Sequence, residues 1–236
     1  MECMHYLLPI PGLFHVRMAC VDAINRIHAS GNNLCMDPNG LYKWLTHLYP
    51  NDISKLQKKV PPFRMMNNGI GYITQVVILD AWAENMGGDL EQYVDSNPSW
   101  DDVKWRAKNI AIDYFETKGN SNDQHRNKEC DERKMNQLTF NRDAMQYWVL
   151  VHAMNHGMVD VVVDALSFWI PIFQACGKHK YSSYLSKFLF KLNHYLVPIQ
   201  MAVMKCWLCN PLGKVNGFHP VDWLVELMNL YTKVSS

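Results

Sequence analysis

The chain has 236 residues, 48% of them hydrophobic and 19% charged, a balance that excludes a disordered or low-complexity polypeptide and suffices for a sizeable core. Lys and Arg number 23 against 22 Asp and Glu, a formal net charge of +1, so a globally basic nucleic-acid binder is excluded and any basic surface has to be local. The length allows one large domain or two small ones.

In chain order, residues 5–10 form a short apolar run that ends in Pro9-Ile10-Pro11-Gly12. It reads as a strand entering a turn; it has no basic residue ahead of it and is not a signal peptide. Leu13, Val16, Cys20, Ile24 and Ile27 recur at helical spacing up to His28, and Gly31-Asn32-Asn33 stops that helix. A second helix opens at Asp37-Pro38-Asn39-Gly40 and closes at Pro50, and a short one precedes Pro61-Pro62. Asn67-Asn68-Gly69 reads as a turn, followed by an apolar helix from Ile70 to Asn85 and a short helix near Asp89–Val94. Ser99 is an N-cap with Asp101 and Asp102 in the first turn, where the helix dipole favours acids, and that helix reaches Phe115. The polar stretch 117–135 reads as a flexible loop. Four helices follow, from Met135 to His156, Val159 to Ala175, Tyr181 to Tyr195 and Ile199 to Cys209, and a last one from Val221 to Lys233. The longest apolar run, Met158 to Cys176, contains Asp160, Asp164 and Pro171 and reads as a buried helix rather than a membrane span. Seven scattered cysteines without a secretory leader read as reduced thiols inside a cell, nuclear or cytoplasmic. The sum is a mainly α fold of roughly ten helices in one globular unit, with one or two short strands near the N-terminus.

Four constellations bear on chemistry. Asp222, Glu226, Asn229 and Lys233 share one face of the last helix. Two carboxylates and an amide on one stripe can hold a divalent cation, but a solvated amphipathic face has the same spacing. Cys206-Trp207-Leu208-Cys209 is a C-x-x-C with no second pair to complete a zinc site, so two buried core thiols are expected. His152 and His156 stand four apart, without the H-E-x-x-H of a metalloprotease. Lys180, Lys187 and Lys191 share a helix face interleaved with Tyr184 and Phe188; cations can contact phosphates and aromatics can stack on bases, and a solvated basic face over an aromatic core is the plainer alternative. No G-x-S-x-G or nucleotide-binding loop is present.

Several stretches taken together resemble one family: Leu8-Pro9-Ile10-Pro11-Gly12-Leu13-Phe14-His15; Arg142-Asp143-Ala144 with His156-Gly157; Phe173-Gln174-Ala175-Cys176-Gly177-Lys178-His179-Lys180-Tyr181; Asn210-Pro211-Leu212-Gly213-Lys214; and Pro220-Val221-Asp222-Trp223-Leu224-Val225-Glu226-Leu227-Met228-Asn229. They are similar to a fungal domain-of-unknown-function family, number 6589 in its naming series, which is expanded in mushroom-type genomes and associated with mobile elements. The resemblance runs from about residue 6 to 233. It implies a transposon-derived protein and the C-terminal part of a ribonuclease-H-like fold with helical insertions. Asp222, Glu226 and Asn229 match its closing D-x-x-x-E-x-x-N pattern and His15 its P-G-L-F-H motif, which makes these four the candidate catalytic residues, in intact or vestigial form. Mg²⁺ or Mn²⁺ is the cofactor implied for active relatives; the residues themselves fix no metal for this chain.

Longer relatives carry an upstream Gly-Asp motif. Residues 1–236 therefore read as a single family-like domain, N-terminally truncated, and as a truncated, inactive relative of a transposon-encoded enzyme. The alternative is a helical module that binds nucleic acid, through Lys180, Lys187 and Lys191, or protein, with no chemistry of its own. No membrane partner is expected.

Overall fold

The structure, a computed structural model, describes residues 9–28, 40–58, 60–115 and 128–234. Among these residues it is mainly helical, with eleven α-helices and one small sheet, divided into two compact units. The first unit combines Met1–Ala23 with Val149–Ser236 and the second is Ile24–Trp148, so the division falls inside α1 (Leu13–His28) and inside α7 (Lys128–His156). Composition, which suggests one globular unit, carries no sign of this division.

The second unit contains α2 (Leu41–Leu48), a 3-10 turn at Pro50–Asp52, α3 (Ile53–Leu56), α4 (Phe63–Asn85), α5 (Leu90–Asp95), α6 (Trp100–Phe115) and most of α7. The expected turn at Asn67-Asn68-Gly69 is instead helical, within α4. Tertiary contacts override the local preference there. The Asn67 side chain accepts the Tyr147 hydroxyl at 2.5 Å. Gly69 is buried against the Leu45 side chain, and a Cβ at that position would collide with it. The glycine that reads as a turn signal is the point where α2 packs closely on α4. Ser99 caps α6 as expected, its Oγ accepting the Asp102 N–H at 3.2 Å. Ala81, Ile110 and Phe115 form a buried cluster with Val77, Ile78, Trp82, Tyr114 and Met145 around it. Helix α7 begins at Lys128, inside the stretch read as a loop, and residues 116–127 lie outside the described residues.

The first unit contains the start of α1, the end of α7, α8 (Val159–Ala175), α9 (His179–His194), α10 (Val197–Trp207), β1 (Leu208–Cys209), β2 (His219–Pro220) and α11 (Val221–Val234). Helix α7 ends at Gly157, with φ of 71° and the Met158 N–H bonded back to the Ala153 carbonyl at 2.9 Å, the glycine-terminated closure its sequence announces. Trp169, Phe173, Leu166 and Leu185 are fully buried with Leu13 and Cys20 of α1. The Trp169 and Phe173 rings lie 5.9 Å apart, and Phe188 and Trp207 are 5.1 Å apart.

The strands correct the sequence reading. Among the described residues they lie near the C-terminus, pairing antiparallel with Leu208 opposite Pro220 and Cys209 opposite His219. Residues 9–12 form no strand, and residues 1–8 lie outside the described residues. Pro9 and Pro11 have no N–H to give to a ladder, and the Pro11 carbonyl is taken by the Trp207 indole at 2.7 Å. A ribonuclease-H-like fold requires a central mixed sheet. Two strands of two residues each supply none, and that expectation is not met. Among the described residues no helix is long and apolar enough to cross a membrane.

Candidate functional site

The first turn of α1 needs an acceptor it does not carry. The N–H groups that open a helix have no partner within it, and a side chain at the residue before the first turn usually accepts one of them. Here that residue is Gly12, and the first turn of α1 contains no acid. Asp222, in the first turn of α11, takes over the role. Its Oδ1 accepts the Phe14 N–H at 3.1 Å and its Oδ2 accepts the His15 N–H at 3.1 Å. The absence of a side chain at Gly12 permits this approach, since a Cβ there would stand 2.9 Å from Asp222 Cγ. The Asp222 carboxylate also lies at the start of its own helix, where the dipole favours it.

His15 joins the same carboxylate, with Nδ1 2.9 Å from Asp222 Oδ2. Its Nε2 points outward, 4.0 Å from Glu226 Oε1. His15 and Glu226 are about half exposed, whereas the Asp222 side chain is 21% exposed. Two of the candidate catalytic residues are thus in direct contact and a third is adjacent. Asn229 is exposed further along α11, with no side-chain contact to His15 or Asp222 among the described residues. An aspartate that orients a histidine is the geometry of a general base. Among the described residues, however, the group facing Nε2 is a carboxylate and not a hydroxyl or thiol.

The donor set does not fit a Mg²⁺ or Mn²⁺ centre. Both Asp222 oxygens already face N–H donors, which would have to be abandoned for a metal. Asp22, the remaining acid on α1, is paired with Lys178 at 2.6 Å, both side chains largely buried. Among the described residues no group of three or more His, Cys, Asp or Glu is arranged to hold a metal ion. Beside this ion pair lies Tyr181, whose hydroxyl is pushed up by burial first and then by Cys20, Asp22 and Asp222. Burial pushes the Cys20 thiol well up too, against the lowering pull of Lys178, so it is a core thiol and not a nucleophile.

The second candidate surface is α9. Lys180, Lys187 and Lys191 are all exposed and lie on one face, with Tyr184 39% exposed between them, while Phe188 is buried. Among the described residues no ion pair engages these three lysines. Phe190, 65% exposed, lies against His194 alongside, with ring centroids 4.3 Å apart and the planes tilted by 31°. The wider charge pattern belongs to no motif. Between Asp164 and Asp222 the sequence has six lysines and no acidic residue; all 22 Asp and Glu lie elsewhere.

The other constellations are local. His152 and His156 stack at 3.9 Å, and His156 Nδ1 donates to the His152 carbonyl at 2.9 Å. Cys206 is exposed rather than buried, because α10 turns Val203 and Trp207 inward; Cys209 is half-buried in β1, its thiol pushed up by burial. Asp143 in the second unit, part of the Arg142-Asp143-Ala144 stretch, is buried. Its Oδ1 accepts two Arg142 N–H groups at 3.0 and 2.8 Å, and its Oδ2 lies 2.9 Å from His28 Nε2. That arrangement satisfies a buried carboxylate from both sides, and nothing in the spacing of Arg142 and Asp143 points to His28.

Compared with known protein families, residues 1–235 match the model of a family of unknown function, DUF6589. No curated protein and no solved structure matches the chain.

Proposed function

The chain belongs to the family of unknown function DUF6589, and from that premise we propose that it is a helical module that binds nucleic acid through the exposed face of α9 and has no metal-dependent chemistry of its own. The observation that carries the reading is the acid-free stretch between Asp164 and Asp222, with Lys180, Lys187 and Lys191 exposed on one face. Cations without carboxylate partners are available to phosphates, and their binding releases condensed counterions. Tyr184 and Phe190, exposed among them, offer flat surfaces on which unpaired bases can stack. Lys205 and Lys214 add exposed charge in the same unit. The resemblance of its motifs implies a mobile-element origin, for which nucleic acid is a natural partner. Descent from a transposon-encoded enzyme is part of the same proposal. In this reading His15 and Asp222 have a structural role, with Asp222 fastening α11 to the start of α1, and Glu226 is an exposed surface acid.

The experiment is a salt titration of binding to labelled single- and double-stranded DNA and RNA. Lys180→Glu, Lys187→Glu and Lys191→Glu together should abolish binding, and single Lys→Gln changes should each flatten the log–log salt slope by about 0.7–0.9. Unchanged binding by the triple variant, or none by the parent, would remove α9 as the interface. Incubation with the same substrates in Mg²⁺ or Mn²⁺ tests the second half of the proposal. Cleavage by the parent that disappears in Glu226→Ala would show a working catalytic site.

A further inference from the structure

The second unit has a feature that neither the sequence motifs nor the basic face of α9 involves. A groove of about 450 Å³ opens between α2, α4, α6 and α7, within the roughly 300–1,000 Å³ range of small-molecule sites. Three aromatic rings line it, Trp44 from α2, Tyr72 from α4 and Tyr114 from α6, with Leu48, Ile73 and Val76 among the apolar walls. Trp44, Leu48, Tyr72 and Val76 are each 41–53% exposed, so the groove leaves apolar surface in water that a ligand would cover.

The polar groups at its edge are one-sided. Among the described residues Asp80 is the only acid in the lining, and no lysine or arginine joins it. Among the described residues the Asp80 carboxylate makes no hydrogen bond or ion pair. Gln137 Nε2 donates to Asn141 Oδ1 at 2.8 Å, and Asn141 Nδ2 donates to the Tyr114 carbonyl at 3.2 Å, which leaves Gln137 Oε1 as a free acceptor. His47 Nδ1 donates to the Lys43 carbonyl at 2.8 Å, which leaves its Nε2 unengaged. The Tyr114 hydroxyl donates to Glu84. That bond comes first, followed by burial and the nearby charges of Glu84, Asp80 and Asp113, and together they push the phenol up to about 12. Three carboxylates, those of Glu84, Asp80 and Asp113, thus stand near the ring. Aromatic faces, a free carboxylate and spare acceptors are complementary to a cation with an apolar body: the ring faces attract it electrostatically, and the walls cover its hydrocarbon.

We infer that the groove between α2, α4, α6 and α7 is a binding site for a small hydrophobic organic cation, with the ammonium against Asp80 and the aromatic rings and the apolar body along Leu48, Ile73 and Val76. An anion of the same shape would meet Asp80 as a like charge. A neutral isostere would gain the walls but not the charge.

The test uses the full chain and three probes of one shape, measured by calorimetry and ligand-observed NMR: benzyltrimethylammonium, its uncharged carbon isostere neopentylbenzene, and the anion phenylmethanesulfonate. The cation should bind at least fivefold tighter than the neutral compound, and the anion should not bind. Asp80→Asn should cut cation affinity about fivefold, the scale of a partly exposed charge contact, and leave the neutral compound unchanged. Val76→Trp, at a position already 53% exposed, should block both. Circular dichroism melts of each variant separate loss of the site from loss of the fold. Equal binding of the cation and its isostere would overturn the cation assignment, and so would an unchanged Asp80→Asn variant. No binding of any probe to the folded parent would overturn the site. Lys180, Lys187 and Lys191 play no part in this experiment, so its outcome is independent of nucleic-acid binding.

Discussion

Asp222 acts over 208 residues of sequence as the cap that Gly12 cannot be. Two consequences can be measured. Asp222→Ala strips the Phe14 and His15 N–H groups of their acceptor and should lower stability by about 1 kcal/mol, the usual cost of losing a helix N-cap. Glu226→Ala should cost little, because its carboxylate is exposed and 4.0 Å from His15. Urea unfolding of the two variants separates these roles, and equal shifts of the midpoint would contradict the capping role. Gly12→Ala should resemble Asp222→Ala, because its Cβ displaces the same carboxylate. At this scale the sequence was partly legible. Asp222 stands out by its helix stripe and His15 only through the family resemblance, and the structure places them 2.9 Å apart. What they do together could not be read, because helical spacing fixes which residues share a face and not which backbone N–H a carboxylate meets on another helix. Asn229 illustrates the same limit: it shares the stripe with Asp222, yet stays exposed without contact to His15.

Helices whose ends are marked in the local sequence were the most legible elements. Ser99 before α6, Gly157 after α7 and the starts of α1 and α11 all stand where the sequence puts them. Elements set by tertiary packing were not. The short β1–β2 ladder carries no alternating pattern long enough to read, and the Asn67-Asn68-Gly69 signal yields to contacts from Tyr147 and Leu45. Beyond its cap, α6 carries a second device that pH can test. Asp102 Oδ2 accepts the Tyr93 hydroxyl at 2.8 Å and Arg106 Nε at 2.9 Å, which ties α5 to α6. The Tyr93 bond first and the Arg106 bond second hold the Asp102 carboxyl below its ordinary value of 3.8. A carboxyl lowered by folding stabilises the folded state above its unfolded value, and the contribution is lost as pH falls through the folded value. Asp102→Asn should therefore unfold at lower urea than the parent at pH 7, and the gap should close as the pH drops below 3.8. A gap that persists unchanged in acid would mean that the ionised carboxylate is not what stabilises this corner.

At the scale of the whole molecule, the first unit is assembled from both ends of the chain. Leu13, Val16, Ala19, Cys20 and Val21 of α1 are all at most 3% exposed. The Pro11 carbonyl receives the Trp207 indole, and Asp22 neutralises Lys178. The segment 149–236 alone would leave apolar surface uncovered, an indole N–H without its acceptor and a largely buried lysine without its carboxylate. Each loss costs stability in a domain whose net stability is only about 5–15 kcal/mol. A fragment of residues 149–236 should accordingly melt without cooperativity, with helix content below that of the same segment in the full chain. Adding a peptide of residues 9–28 in excess should restore a cooperative melt whose midpoint rises with peptide concentration, as mass action requires of a ligand that binds only the folded form. The same peptide with Gly12→Ala should do so at a lower midpoint, because the Asp222 carboxylate loses its seat on the first turn of α1. A cooperative transition of the 149–236 fragment on its own would show that α8 to α11 form a sufficient core without the N-terminal helix, and that Asp222 is a late fastening rather than part of what holds the unit together.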